Sequence, residues 1–406
     1  MSSVFNQVPL GPPIEVFALT EAYNKDSFEK KVNLGVGAYR TDKGLPWVLP
    51  VVKEVEKRLA ADETLNKEYL PVLGSPAFCT AATSMLLGFD NPVLKENRAF
   101  GIQCLSGTGA LRVAAEFLVK QLGSTIFYYS SPTWENHTLV FNNAGFEQGR
   151  SYRYWSAEAR GLDLSGMLED LSNAPEKSVI ILHACAHNPT GCDPTQEEWE
   201  KIADVIEEKK LFPLFDSAYQ GFASGDLEKD AWAVRYFVSR GFELFCTQSF
   251  AKNFGLYNER IGNLTVVMND SEFVLTTKSQ FTLVIRGMYS NPPSHGANIV
   301  ANVLNNPSLF EQWKDHIRTM SSRIIEMRKA LRTALEKLQT PGDWSHITSQ
   351  IGMFSYTGLN ENQSMYMVKK HHVYMLKSGR ISMCGVTPSN VEYVAQAINE
   401  TLNSII

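Results

Sequence analysis

Cysteine is scarce in this chain, six in 406 residues, and no two stand in a C-x-x-C pair. Most lie in apolar runs, so buried free thiols are expected rather than disulfides or a zinc site. Neither sign of charge dominates: 38 Lys and Arg face 43 Asp and Glu, for a net charge of -5 and a pI near 6.0. That leaves no basic footprint and argues against nucleic acid as a main partner. Apolar runs are short, none near the roughly 18 residues that cross a bilayer. The opening Met1-Ser2-Ser3-Val4-Phe5-Asn6-Gln7 carries neither an apolar signal core nor an Arg-rich leader, so cytoplasmic residence is expected. Low-complexity segments and internal repeats are also missing.

What is present reads as an ordinary folded protein, 44% hydrophobic and 20% charged, and long enough for two lobes. From about residue 100 to 270, short apolar runs alternate with helix-like stretches. Strands are predicted at 102–105, 125–130, 179–183, 211–215, 243–247 and 264–268. Helices are predicted from Ala110 to Leu122 and from about Thr195 to Lys210, the second opening on the capping-box pattern Thr195-Gln196-Glu197-Glu198. The alternation implies an α/β fold with a mostly parallel sheet covered on both faces. Farther on, Leu309, Trp313, Ile317, Met320, Ile324, Met327, Leu331, Leu335 and Leu338 recur every three or four residues. That spacing predicts one long amphipathic helix running from one lobe to another. Strand-like pieces at 352–357 and 380–383 and a helix from about Pro388 to Ile405 suggest a smaller α+β lobe, joined by the N-terminal segment. The expected division is 1–44 and 311–406 for the smaller lobe and its arm, and 45–310 for the larger one.

In a doubly wound sheet, ligands bind at the carboxyl ends of the strands. Lys252 follows the apolar run 242–247 and precedes a glycine turn, so its amine is expected at such an end. Held there and partly desolvated, an amine titrates low and can attack a carbonyl to form a Schiff base. Ser106-Gly107-Thr108-Gly109 opens a helix and offers backbone N–H groups to a phosphate, although Arg112 breaks a dinucleotide G-x-G-x-x-G motif. Trp134 is either core packing or a face on which a flat ring stacks. His183 and His187 lack a third ligand at metal spacing, and Asn188-Pro189-Thr190-Gly191 reads as a turn. Asp216 directly follows a buried strand and needs a cationic partner. Tyr219 lies three residues on, and Ser249 and Arg260 flank the lysine. Each feature alone is ordinary. Together they describe one ligand, pyridoxal 5'-phosphate: Lys252 for the imine, Asp216 for the ring nitrogen, Asn188 and Tyr219 for the phenolic oxygen, Trp134 for the ring. Ser106, Gly107, Thr108, Ser249 and Arg260 are the expected phosphate contacts.

The sequence resembles the aspartate aminotransferase family, within the fold-type I pyridoxal-phosphate enzymes and nearer their cytosolic eukaryotic type. The likeness runs almost end to end. It includes Val32 to Arg40, Tyr69 to Gly74, Ser131 to His137, Ala186 to Gly191 and Asp216 to Phe222. Asn253 to Gly262, Tyr289 to Pro293 and Ser378 to Ile381 continue it. The resemblance implies a seven-stranded, mostly parallel sheet and a homodimer with shared active sites. It further implies transfer of an amino group from aspartate to 2-oxoglutarate by a ping-pong route, with Lys252 as general base and acid. Arg380 matches the arginine that binds the substrate α-carboxylate, and Arg286 the one that binds the distal carboxylate from the other subunit. Tyr69 matches the tyrosine that crosses to the cofactor phosphate, Gly37 a substrate contact, and His137 the histidine that orients Asp216. Two guanidinium forks at opposite ends of a site suit a dicarboxylate.

Departures from the family pattern are few: Ala251 beside the lysine, a short Gly123-Ser124-Thr125 connection, and Asn298 in place of an arginine. Rival expectations are a relative preferring aromatic or branched amino acids, a β-lyase or decarboxylase, and a non-catalytic scaffold. The last would be expected to have lost Lys252, Asp216 or Arg380, and all three are present.

Overall fold

The computed structural model describes residues 3–404; Met1, Ser2 and the predicted helix end at Ile405 lie outside the described residues. Seven strands form the central sheet: β1 (Ala99–Leu105), β2 (Ile126–Ser131), β3 (Gln148–Arg153), β4 (Val179–His183), β5 (Phe212–Ser217), β6 (Leu244–Ser249) and β7 (Ile261–Val267). Their order across the sheet is β1-β7-β6-β5-β4-β2-β3. Every neighbouring pair is parallel except those made by β7, which runs antiparallel to both β1 and β6. All residues of β4, β6 and β7 are buried, as expected where helices cover both faces. The edge strand β3 was not predicted. Its sequence Gln-Gly-Arg-Ser-Tyr-Arg is mostly exposed, so no apolar run marks it.

Helix α1 (Glu15–Lys25) has no buried residue and lies beside the cleft described below, which its Val16 lines. Helix α2 (Ser106–Leu122) starts four residues earlier than the sequence suggested. The Ser-Gly-Thr-Gly segment is the helix's own first turn rather than a separate loop. Ser106 makes the corner with φ 63°, its N–H donating to the Arg260 carbonyl at 3.1 Å. The facing residue has to be glycine: a β-carbon on Gly262 would stand 2.5 Å from the Ser106 carbonyl carbon. Helix α3 (Gln196–Glu208) carries the expected capping box on Thr195 and Glu198.

The long helix is α4 (Pro307–Lys337), 31 residues and thus about 47 Å at the usual rise. Its predicted apolar stripe is buried from Leu309 through Leu335, while Leu338 falls just past the last turn. Near its start Trp313 is fully buried, stacks on Phe254 at 4.4 Å and donates to the Asn253 carbonyl at 2.9 Å. That contact fixes the turn next to Lys252. Toward its other end, buried Arg328 donates to the carbonyls of Ile347, Gly352 and Phe354. The C-terminal strands pair in two small sheets, Val32–Asn33 with Val373–Tyr374 and Phe354–Tyr356 with Arg380–Ser382. Helix α5 (Val391–Ser404) begins later than Pro388, because Thr387 to Asn390 close a turn of their own. No helix among the described residues is long and apolar enough to cross a membrane.

Candidate active site

Parallel strands deliver their carboxyl ends to one edge of the sheet, and the reversed β7 delivers its amino end to that same edge. His183, Asp216 and Thr247 are therefore side by side in register on β4, β5 and β6. Ser249 pairs with Gly262, and Leu105 with Ile261, which brings Ser106 and Arg260 together from opposite strand ends. Lys252 follows β6 by three residues and enters the same space.

Asp216 stands at the end of a chain of hydrogen bonds that runs through two histidines and a threonine. The Asn188 N–H donates to His183 Nδ1 at 3.3 Å, so the His183 proton resides on Nε2. That nitrogen lies 3.3 Å from the Thr133 hydroxyl, which in turn stands 2.8 Å from His137 Nδ1. With Nδ1 accepting, His137 Nε2 donates to Asp216 Oδ2 at 3.0 Å. Burial, together with the neighbouring His187 and His137, holds His183 well below its ordinary value and hence neutral. Burial alone would raise the Asp216 carboxyl. The His137 hydrogen bond, with Lys252 nearby, outweighs it and keeps the carboxyl low and ionised.

Lys252 titrates below an ordinary lysine, chiefly through burial, with Arg260 and Arg380 adding to the effect and Asp216 opposing it. Its amine sits 5.4 Å from the Tyr219 ring centroid. Tyr219 is buried, and burial raises its phenol. On the phosphate side, the Ser106 and Ser249 hydroxyls are 3.2 Å apart, and Gly107 packs so closely that a β-carbon would meet Ser249 Cβ at 3.2 Å. Arg260 donates to the Tyr257 carbonyl at 2.8 Å, and burial lowers its guanidinium.

Arg380 is only 7% exposed. Its Nη1 lies 3.3 Å from Asn188 Oδ1 and its Nη2 3.4 Å from the Gly35 carbonyl, while the guanidinium rests over the Phe354 ring at 4.1 Å. Nε has no partner among the described residues, and burial brings the group down to about 10. These are long, neutral contacts for a buried cation.

One cleft of about 260 Å³ gathers this set. Ser106, Gly107, Thr108, Ser249 and Arg260 line one part of it. Trp134, Asn188, Asp216, Tyr219 and Lys252 line another, and Gly37 and Arg380 a third. His137 stands behind, fully buried, with Trp134 edge-on at 5.4 Å. Two predicted residues lie elsewhere. Tyr69 is 83% exposed and Arg286 is also on the surface, bonded to the Ser290 hydroxyl. Their loops are tied, since Asn291 Nδ2 donates to the Leu70 carbonyl at 2.7 Å. Sequence reasoning missed Thr133, Tyr257 and Phe354. No linear pattern marks them, although the position of His183 at a strand end hinted at a partner nearby.

The model of the aminotransferase class I and II family matches residues 29–398. The chain belongs to this family. Among relatives of this class I and II aminotransferase is the cytoplasmic aspartate aminotransferase of Gallus gallus, 57% identical over 409 residues, covering 100% of this chain and 99% of that protein. The solved aspartate aminotransferase from Saccharomyces cerevisiae cytoplasm superposes with a TM-score of 0.96 at 46% identity, covering 99% of each chain. An aromatic-amino-acid aminotransferase from Burkholderia pseudomallei, covalently bound to pyridoxal phosphate, gives 0.96 at 38% identity, covering 99% of this chain and 100% of that one.

Proposed function

We infer that this aminotransferase is a cytoplasmic aspartate aminotransferase, moving the amino group of L-aspartate to 2-oxoglutarate to give oxaloacetate and L-glutamate. The observation that carries the reading is Arg380. A buried guanidinium without a carboxylate is costly until an anion arrives, and the substrate α-carboxylate is that anion. The cleft also suits pyridoxal 5'-phosphate. The first-turn N–H groups of α2 lack intrahelical acceptors, and Ser106, Gly107, Thr108, Ser249 and Arg260 surround them. Lys252 is free of any hydrogen bond or ion pair among the described residues. When bound, the cofactor supplies a carbonyl for amine attack and an electron sink for the substrate carbanion.

The remaining work falls to this chain. Asp216, kept ionised by His137, would hold positive charge on the ring nitrogen. Asn188 and Tyr219 would orient the phenolic oxygen, and Trp134 would offer its face to the ring. Arg380 fixes the α-carboxylate so that the Cα proton faces Lys252. Lys252 Nζ would take that proton as general base and, as general acid, deliver it to the carbon that was the cofactor's carbonyl, with the direction reversed in the second half-reaction. Tyr69 and Arg286 serve the neighbouring copy's cleft in a homodimer; their exposure and the Asn291 tie support that role. Residues 45–310 make the cofactor lobe, while 1–44 and 311–406 make the arm and smaller lobe.

The absorption spectrum of the purified protein tests this directly. Aspartate alone should convert the bound cofactor to its amine form, and 2-oxoglutarate should reverse the change. Reversal by phenylpyruvate equally well would favour the broader aromatic reading, which the Burkholderia likeness supports. A bound cofactor unmoved by aspartate would sink the substrate assignment.

A further inference from the structure

Arg380 reaches the cleft from a strand that leads, six residues later, to Val386, while Gly35 and Gly37 belong to a segment that leads to Thr41 and Asp42. Neither Val386 nor Thr41 lines the cleft. Both meet at another buried arginine, Arg323 on α4, which is 8% exposed. Its Nε donates to Asp42 Oδ1 at 2.7 Å. Its Nη2 donates to the carbonyls of Thr41 at 3.3 Å and Val386 at 3.0 Å. The guanidinium also lies 5.7 Å from the Tyr39 ring centroid.

We propose that Arg323 is a positioning residue for the carboxylate site, clamping the Gly35–Asp42 segment to the Arg380–Val386 segment. Near the cleft the two segments meet through apolar packing and a few hydrogen bonds. Ser382 N–H donates to the Leu34 carbonyl at 2.7 Å, and Arg380 makes its long bond to Gly35. On its other side the first segment is pinned to the larger lobe, where the Tyr39 N–H donates to Tyr257 Oη at 2.8 Å and the Tyr39 ring packs on Phe222 and Trp47. Tyr257 itself lines the cleft. Arg323 therefore closes a loop of contacts: Arg380, Gly35, Tyr39, Thr41, Arg323, Val386 and back along the chain to Arg380. An arginine suits the post because its planar fork reaches three acceptors in different directions, which a lysine cannot do with equal rigidity. Without it, two backbone carbonyls lose a charged donor and the distance between Arg380 and Gly37 is no longer fixed. Substrate would still react once bound, but binding would have to order the two segments first.

The inference rests on the aminotransferase reading above, and its test separates the two. Arg323→Met, Arg323→Lys and Asp42→Asn are compared with the wild-type holoenzyme by steady-state kinetics, and by calorimetric titration with succinate, a dicarboxylate that cannot react. In Arg323→Met, the Kd for succinate and the KM for aspartate should rise roughly tenfold, the effect of one lost hydrogen bond to a charged group. The kcat should fall by less than about threefold, with the cofactor absorption band unmoved, since no group touching the cofactor has changed. Arg323→Lys should recover part of the affinity. Unchanged succinate affinity in folded Arg323→Met, whatever its melting temperature, would reduce the residue to a structural strut and overturn the proposal. Should that variant fail to fold, Asp42→Asn decides: its carboxylate is on the surface, and an unaltered KM there would have the same meaning. A wild-type protein that neither binds succinate nor turns over aspartate would instead sink the functional reading on which the proposal stands.

Discussion

His137 Nε2 donates to Asp216 Oδ2 at 3.0 Å, and the Thr133 hydroxyl, 2.8 Å from Nδ1, favours the tautomer that does so. The carboxylate is thereby given a dedicated donor in a site where burial would otherwise favour its neutral form. His137→Phe removes the donor. The expected outcome is a kcat lowered roughly tenfold, matching about 1.5 kcal/mol for a lost hydrogen bond to a charge. Thr133→Val should reproduce part of that loss without touching the cleft chemistry. Equal kcat values in all three proteins would remove the relay from the mechanism.

Lys252 has one amine for every proton transfer assigned to it. Lys252→Ala should cut multiple-turnover transamination by about four orders of magnitude, at the upper end for a general acid–base group. The fold should persist, because the hydrogen bonds of the turn involve backbone and Asn253 rather than the lysine amine. Circular dichroism and turnover measured on one preparation check both halves of this expectation.

Selectivity for a second carboxylate is assigned to the exposed Arg286 of the neighbouring copy. Arg286→Asp should lower kcat/KM for aspartate about a thousandfold, the range for losing one partner of a desolvated charge pair and replacing it with a like charge. Phenylalanine should lose less than about tenfold, since it makes no ion pair there. A uniform loss over both substrates would assign Arg286 to folding or assembly.

If two copies share each site, mixed dimers of Arg286→Ala and Lys252→Ala subunits hold one site with both residues intact. Activity should return toward about a quarter of the wild-type value once subunits have exchanged at random. Dead hybrids, verified by mass spectrometry, would confine each site to a single chain.

The end of α1 gives a pH-dependent prediction. Asp26 takes the Phe28 N–H at 2.8 Å, His372 Nδ1 at 2.6 Å and the Tyr374 hydroxyl at 2.8 Å. The Phe28 N–H and then His372 pull its carboxyl down to about 2, against an ordinary 3.8. Because the folded value is the lower one, the stabilisation is complete above the unfolded value and is lost as pH falls from near 3.8 through about 2. Melting temperature in this window should drop more for the wild type than for Asp26→Asn. Parallel curves would show that the clasp contributes nothing to acid stability.

Much of the fold was legible because burial writes itself into composition. The four apolar residues Val179 to Leu182 could only be a covered strand, and nine apolar residues spaced three or four apart between Leu309 and Leu338 only a long helix face. The polar edge strand β3 was invisible for the same reason, since its side chains answer to solvent. The identities of the cleft residues were legible too, as Lys252, Asp216, Asn188 and Ser106 each follow a recognisable strand. What the chain by itself could not state was distance. Only tertiary structure turned β7 around to set Arg260 beside Ser106, ran the Thr133 relay from one strand end to another, and left Arg380 buried without a carboxylate. Those relations join residues far apart in sequence, where no local period constrains spacing and only the packed sheet decides which side chains meet.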